Sequence, residues 1–211
     1  MNFGRVFIVS GPAGVGKTTV CGRLLAANAE SLRRIVTVTT RPPRPEEREG
    51  IDYFFIDEPA FLRYIAEDKF LEYANVHRRY FYGTPIGAVF SNLRRGIDSL
   101  LIVDVQGMRQ VRKRLQGLGC VTTIFLMPEH LGVLEERLQR RNSEKEEDIR
   151  ARLRSAEMEI RCAQEYDYVI VSGTRDEDFW SMQQVYSGEH SRFRIAVRPY
   201  TTEKWLQLTA L

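Results

Sequence analysis

The hydrophobic pattern changes period along the chain. Val6 to Val9 is an apolar run, rich in β-branched residues and too short for a helix, so a strand buried on both faces is expected. A glycine-rich turn follows, and from Thr18 to about Ala27 the spacing of Val20, Leu24 and Leu25 predicts a helix lying on a sheet. Between Arg34 and Tyr82 the pattern turns β-like, with runs at Ile35 to Thr40 and Asp52 to Ile56 separated by a charged, proline-rich loop. Two strands with no helix between them predict an antiparallel insertion on a parallel core. Asp57 is expected to cap a helix with Pro59 in its first turn and Phe61, Leu62 and Ile65 as its buried stripe.

Further on, Thr84-Pro85 suits the start of a helix ending near Gly96, and Ser99 to Val103 reads as an apolar strand. Helix 108–116, strand Val121 to Met127 and helix His130 to Arg141 come next. Ser143-Glu144-Lys145-Glu146 fits a capping box opening a charge-laced helix to about Gln164. Tyr168 to Val171 reads as a last buried strand and Asp176 to about Val185 as a last helix, while Phe193 to Val197 alternates like an edge strand. The sum is an α/β fold: a parallel sheet flanked by helices, with an inserted α+β unit.

Composition narrows the function classes. At 211 residues and 24.5 kDa the chain can bury a full core, as one large domain or, as expected here, a core with inserted subdomains. A net charge of only +3 provides no global basic field, so nucleic acid is not an expected partner. Cys21, Cys120 and Cys162 lack metal-ligand spacing and suit a reducing compartment. There is no secretory pattern and no run of membrane-spanning length, so a cytoplasmic protein without a membrane partner is expected, as monomer or homodimer.

The chemistry starts at the first turn. Gly11-Pro12-Ala13-Gly14-Val15-Gly16-Lys17-Thr18-Thr19 contains the G-x-x-x-x-G-K-T spacing between a strand and a helix. In that arrangement backbone N–H groups and a helix N-terminus wrap a polyphosphate, the lysine reaches the β- and γ-phosphates, and the Thr18 hydroxyl can ligate Mg²⁺. ATP, held by Gly11 to Thr19, is the expected ligand. Asp104, at the C-terminal end of a parallel strand, sits where α/β sheets bind ligands and is the expected second metal contact.

A second set of motifs lies in the insertion. Thr39-Thr40-Arg41-x-Pro43-Arg44-x-x-Glu47-x-x-Gly50-x-Asp52-Tyr53-x-Phe55, then Phe70-Leu71-Glu72 and Tyr82-Gly83-Thr84, resembles the GMP-binding region of guanylate kinases. With the phosphate loop, Asp104-x-Gln106-Gly107 and the arginines from Arg137 to Arg152, the resemblance covers about residues 5 to 172. It implies an ATP:GMP phosphotransferase working with Mg²⁺. It also implies a core of residues 1–33, 86–136 and 166–190, a GMP-binding insertion at 34–85, a lid at 137–165, and a tail at 191–211 without an assigned role.

The residues make chemical sense in those roles. Arg41 and Arg44 offer two planar forks for a dianionic phosphate, with Tyr53 and Tyr82 hydroxyls completing its shell. A carboxylate at Glu72 can accept from the adjacent N1–H and N2–H₂ donors of guanine, whereas adenine presents a lone pair there. Thr37 can donate to the guanine O6; Thr84 can do so too, or can be only a helix cap. Asp104 is also placed near GMP by the resemblance, and Arg137, Arg141 and Arg152 match lid arginines that join Lys17 and Arg41 in neutralising the transferred group. Insertion and lid are expected to swing inward on ligand binding.

The sequence departs from the family pattern in places. Ile102 stands where an acidic residue is usual, Ser172 where an asparagine is usual and Asn142 at the lid glycine, and one residue is added near Val76-His77-Arg78-Arg79. His77, His130 and His190 are expected to be surface or packing residues, since a phosphate acceptor needs no base. Competing readings fit less well. A ribose-bisphosphate kinase need not keep Glu72 and both arginines, a GTP switch would need an Asn-Lys-x-Asp motif that the chain lacks, and scaffold modules of this shape typically lack the phosphate-loop lysine.

Overall fold

A parallel five-stranded sheet forms the frame of the computed structural model, which describes residues 3–76, 79–140 and 146–195. Strand β1 (Val6–Ser10) is buried at every position and leads through the glycine loop into α1 (Lys17–Ala27). Val20 and Leu24 of α1 are fully packed against the sheet and Leu25 is partly so, as the spacing predicts. The short β2 (Leu32–Arg34) pairs in parallel with β7 (Asp98–Ile102), which places it in the core sheet.

The chain then leaves the frame to build a second, four-stranded sheet from β3 (Thr37–Thr39), β4 (Tyr53–Phe55), β5 (Phe70–Val76) and β6 (Tyr80–Pro85), in the order β4-β3-β6-β5. The expected antiparallel pairing needs correction: β3 and β4 run parallel, with Thr37 opposite Tyr53, and only β3–β6 and β5–β6 are antiparallel. The loop from Thr40 to Asp52 is long enough to carry the chain back to the starting end of β3, so no reversal is needed. Helix α2 (Glu58–Ala66) covers this sheet, and Asp57 accepts from the Ala60 N–H as its cap. Phe61 is fully buried and stacks on Phe70 and Phe81, with centroids 4.5 and 5.2 Å away, whereas Leu62 points outward at 48 % exposure, contrary to the expected stripe. A helix on a small sheet buries one narrow strip, and Phe61 with Ile65 fills it.

Back in the frame, α3 (Ile86–Arg94) precedes β7, and α4 (Val105–Arg114) follows it directly. That start is three residues earlier than expected because Asp104 is the N-cap, its Oδ1 accepting from the Gly107 N–H at 2.8 Å. β8 (Val121–Pro128), α5 (Leu131–Arg140), α6 (Glu146–Arg161), a 3₁₀ turn (Ala163–Glu165), β9 (Tyr168–Ser172) and α7 (Arg175–Ile195) complete the chain. Every pairing in the order β2-β7-β1-β8-β9 is parallel.

Two expectations fail at the far edge. β9 is not buried on both faces: Val169 is 44 % and Val171 60 % exposed, because an edge strand is covered on one side alone. Phe193 to Ile195 continue α7 instead of forming a strand, with residues 196 and 197 outside the described part. Tyr186 and His190 tie this helix to the sheet by hydrogen bonds to the buried Asp98 Oδ2, at 2.8 and 2.7 Å, so local alternation loses to a long-range contact. Buried Cys21 and Cys120 are packing residues, as expected. Among the described residues no helix is long and apolar enough to cross a membrane.

Candidate active site

The glycine loop lies at the C-terminal end of β1, between neighbours β7 and β8 in the sheet. Gly11 has φ 145°, and a Cβ there would stand 2.2 Å from the Leu126 carbonyl oxygen, so both conformation and space demand glycine. Gly16, with φ 112°, directly precedes α1, and no side chain caps that helix and no acidic residue lies in its first turn. The helix therefore presents an uncompensated positive end to the cleft, the condition for holding phosphate. Val15 is fully buried and pins the loop, while Thr18 and Thr19 are exposed at the helix start. Lys17 folds back over the loop, its Nζ donating to the Gly11 and Pro12 carbonyls at 2.5 and 2.9 Å. A polyphosphate would draw the ammonium off these neutral acceptors.

The inserted sheet builds the opposite wall. Arg41 grips Glu47 with one nitrogen at 2.7 and 2.8 Å from its two oxygens, and its Nε donates to the Tyr82 hydroxyl at 3.1 Å. Its guanidinium carbon also lies 5.4 Å from the Tyr53 ring centre, and the Tyr53 and Tyr82 rings meet edge to face. Arg41, Tyr53 and Tyr82 are thus assembled as one cluster, with exposed Arg44 beside it, donating its backbone N–H to Glu47 at 2.8 Å. Burial works against the Glu47 charge, but the Arg44 N–H and the Arg41 guanidinium outweigh it and hold the carboxyl below its ordinary range. Glu47 occupies the fork a phosphate would take, a role that the sequence motif contains but does not reveal. Thr37 starts β3 beside Tyr53.

Glu72 is the buried acid of this wall, 4 % exposed. The hydroxyl of Thr84, across the hairpin, donates to its Oε1. The helix-cap reading of Thr84 is thereby excluded, since the residue at the N-cap of α3 is Pro85, without a side-chain cap. Burial pushes the Glu72 carboxyl up to about 7, with a further push from the Asp104 charge, against the pull of Thr84.

Asp104 lies just beyond the end of β7, beside β1 in the sheet, and its charge reaches two acids, one buried and one partly buried. It raises Glu72 on one side and Glu159 on the other. Glu159, on α6, is a residue that sequence reasoning missed among the many acids of that helix. Burial pushes its carboxyl up to about 7, opposed by Lys17. A seven-residue spacing places it on the same helix face as half-buried Arg152, the one signal that could have found it. Arg137, on α5, reaches the phosphate loop and donates to the Val15 carbonyl at 3.0 Å. Arg141, Asn142, the capping box at 143–145, His77 and Arg78 lie outside the described residues.

Two of the departures from the family pattern, Ile102 and Ser172, have a structural setting. Ile102 packs partly buried against the core cluster under α1. Ser172 is buried and donates to Asp178 Oδ2 at 2.8 Å, which ties the end of β9 to the start of α7. As for a metal, the donors on offer are hard oxygens, the Thr18 hydroxyl in the first turn of α1 and the Asp104 carboxylate just beyond the end of β7. Among the described residues no cluster of three or more His, Cys, Asp or Glu side chains could hold an ion. That donor set fits Mg²⁺ brought in with a nucleotide's phosphates better than a protein-caged metal.

A glycine loop at a helix start, facing an arginine-and-carboxylate pocket across the end of one parallel sheet, defines a P-loop phosphotransferase of the nucleotide kinase type. Comparison with known proteins narrows this. A family model described as guanylate kinase matches residues 3–189. The guanylate kinase of Haemophilus influenzae is 39% identical over 190 residues, covering 90% of each chain. That of Thermus thermophilus is 40% identical over 189 residues, 90% of this chain and 83% of the relative. The crystal structure of guanylate kinase from Anaplasma phagocytophilum superposes with a TM-score of 0.72 at 32% identity, covering 90% of this chain and 87% of that one. The chain belongs to the guanylate kinase family.

Proposed function

We propose that the cleft transfers the γ-phosphoryl group of ATP to GMP, and to dGMP, giving ADP and the diphosphate, in a cytoplasmic enzyme. The observation that carries this reading is the buried Glu72 carboxylate, lying on the same inserted sheet as the Arg41, Tyr53 and Tyr82 cluster. Guanine satisfies such an acid with two donors; adenine leaves it facing a lone pair. Thr37 and Thr84 are assigned to O6 and to the orientation of the acid. Incoming GMP exchanges its phosphate for Glu47 on Arg41, with Arg44 and both tyrosine hydroxyls as further donors.

On the other wall Gly11 to Thr19 hold the ATP phosphates, and Lys17 moves from its loop carbonyls to the γ-phosphoryl group. Thr18 and Asp104 would hold Mg²⁺, which when bound supplies countercharge to the β- and γ-oxygens. An oxygen of the GMP phosphate attacks the γ-phosphorus in line as its bond to the ADP oxygen breaks. The attacking oxygen is already anionic, so no base is assigned; the work of Lys17, Arg41, Arg137, Arg141 and Arg152 is alignment and charge neutralisation. Residues 34–85 form the GMP-binding insertion and 137–165 the lid over ATP.

An assay of ADP release with GMP, dGMP, AMP or no acceptor tests the reading. Turnover with GMP and dGMP, and little with AMP, is expected. ADP formed equally without an acceptor would indicate a nucleotide hydrolase, and no turnover with any acceptor would indicate a binding module.

A further inference from the structure

β5 is the outer strand of the inserted sheet, so alternate backbone groups along it have no strand to bond to. At Tyr73, the residue after Glu72, both groups are taken by a single side chain of the core. The Tyr73 N–H donates to Gln110 Oε1 at 3.2 Å, and Gln110 Nε2 donates to the Tyr73 carbonyl at 2.8 Å. A side-chain amide carries one acceptor and two donors side by side, so Gln110 replaces one residue of a missing neighbouring strand. Gln110 sits on α4, whose N-cap is Asp104 and whose first turn includes Gly107, the residue packed against the Glu72 carboxylate.

From this we infer that Gln110 is a positioning residue for Glu72. It fixes the base-reading strand to the core helix, so that the acid keeps its distance from Asp104 and the phosphate loop while the rest of the insertion moves. The inference rests on Glu72 being the guanine acceptor. Among the described residues the other polar α4 tie to the insertion, the Arg114–Asp68 ion pair, is exposed on the Asp68 side and is worth little in water, while Leu71 of β5, buried in one core cluster with Val105, Met108 and Val111 of α4, supplies the apolar part of the anchor. Arg41 differs, since its hydrogen-bond partners Glu47, Tyr82 and Pro42 all lie in the insertion. The amide pair, beside the non-directional packing of Leu71, therefore sets the register of the fixed half of the pocket against the movable one.

The test is steady-state kinetics of three variants. Gln110→Met keeps the length and stem of the side chain but neither hydrogen bond. Gln110→Ala removes the side chain, and Gln110→Glu keeps the acceptor alone. Two backbone hydrogen bonds of ordinary strength predict a rise of roughly five- to tenfold in KM for GMP in the Met and Ala variants. The KM for ATP and kcat are expected to stay within about twofold, with the Glu variant between them and the wild type. A purely structural role would lower thermal stability and leave the ratio of the two KM values unchanged, and that result overturns the inference, as does an unchanged KM for GMP in Gln110→Met. If the wild type itself does not phosphorylate GMP, the underlying reading fails instead, so the two failures are distinguishable.

Discussion

A Cβ on Gly107 would stand 2.9 Å from Glu72 Oε2 and 3.0 Å from the Cβ of Val103. The glycine that opens α4 therefore sets how close the core may come to the acid of the insertion. Gly107 needs no special backbone conformation, so its requirement is purely one of space. Gly107→Ala is expected to push Glu72 aside and raise KM for GMP by about tenfold or more, with KM for ATP little changed. Equal effects on both constants would show that the glycine serves general packing instead.

Glu72 also makes nucleotide binding depend on pH. Its folded value of about 7 is raised above the ordinary 4.5, chiefly by burial, so the folded protein holds a proton that the unfolded chain has lost between those values. Stability from this group is thus complete below about pH 4.5 and is lost as pH rises through 7. Guanine needs the ionised form, so KM for GMP should rise as pH falls below 7. The GMP phosphate titrates near pH 6 as well, and comparison with Glu72→Gln separates the two effects. The variant should lose the wild-type slope, discriminate less between GMP and AMP, and gain stability relative to wild type between pH 5 and 8. Chemical denaturation at both pH values checks the last point; an unchanged difference would place the acid in a solvated site.

Arg41 holds Glu47 through both carboxylate oxygens while its Nε reaches Tyr82. Lysine offers a point charge without the planar fork, so Arg41→Lys should weaken GMP binding by about tenfold or more and leave ATP binding intact. Isothermal titration with each nucleotide measures this directly.

Lys17→Ala removes the one phosphate-loop cation and should lower kcat by about a thousandfold, as expected when countercharge on the transferring group is lost. In this structure its ammonium donates to two neutral loop carbonyls, at 2.5 and 2.9 Å, so thermal unfolding of the variant should stay near that of the wild type. Single-turnover rates with GMP check the first expectation and calorimetry the second.

Much of the molecule can be read from local pattern. The β-branched run Val6 to Val9, the glycine spacing from Gly11 to Gly16, and the Asp57 cap are set by interactions within a few residues, so β1, the phosphate loop and the start of α2 form where the sequence places them. Motif spacing likewise marks out Lys17, and the resemblance to the GMP-binding region marks out Arg41 and Glu72, whose fork and acid suit phosphate and guanine.

Contacts distant in sequence decided the rest. Whether β4 runs parallel or antiparallel to β3 depends on how the loop between them returns, which alternation cannot express. The last helix runs through Ile195 because Tyr186 and His190 find Asp98, far earlier in the chain, against a local pattern that favours a strand. From sequence Thr84 is a guanine O6 donor or only a helix cap; the β5–β6 pairing adds what neither reading contains, Glu72 opposite it. Glu47 on Arg41, Glu159 near Lys17 and Gln110 on Tyr73 likewise exist only once separate elements are packed together. Sequence by itself determined the phosphate-loop motif and the kinds of side chain on offer, since those depend on local spacing, bond type and charge. Tertiary structure decided which of them meet, since burial and distance belong to the folded chain as a whole.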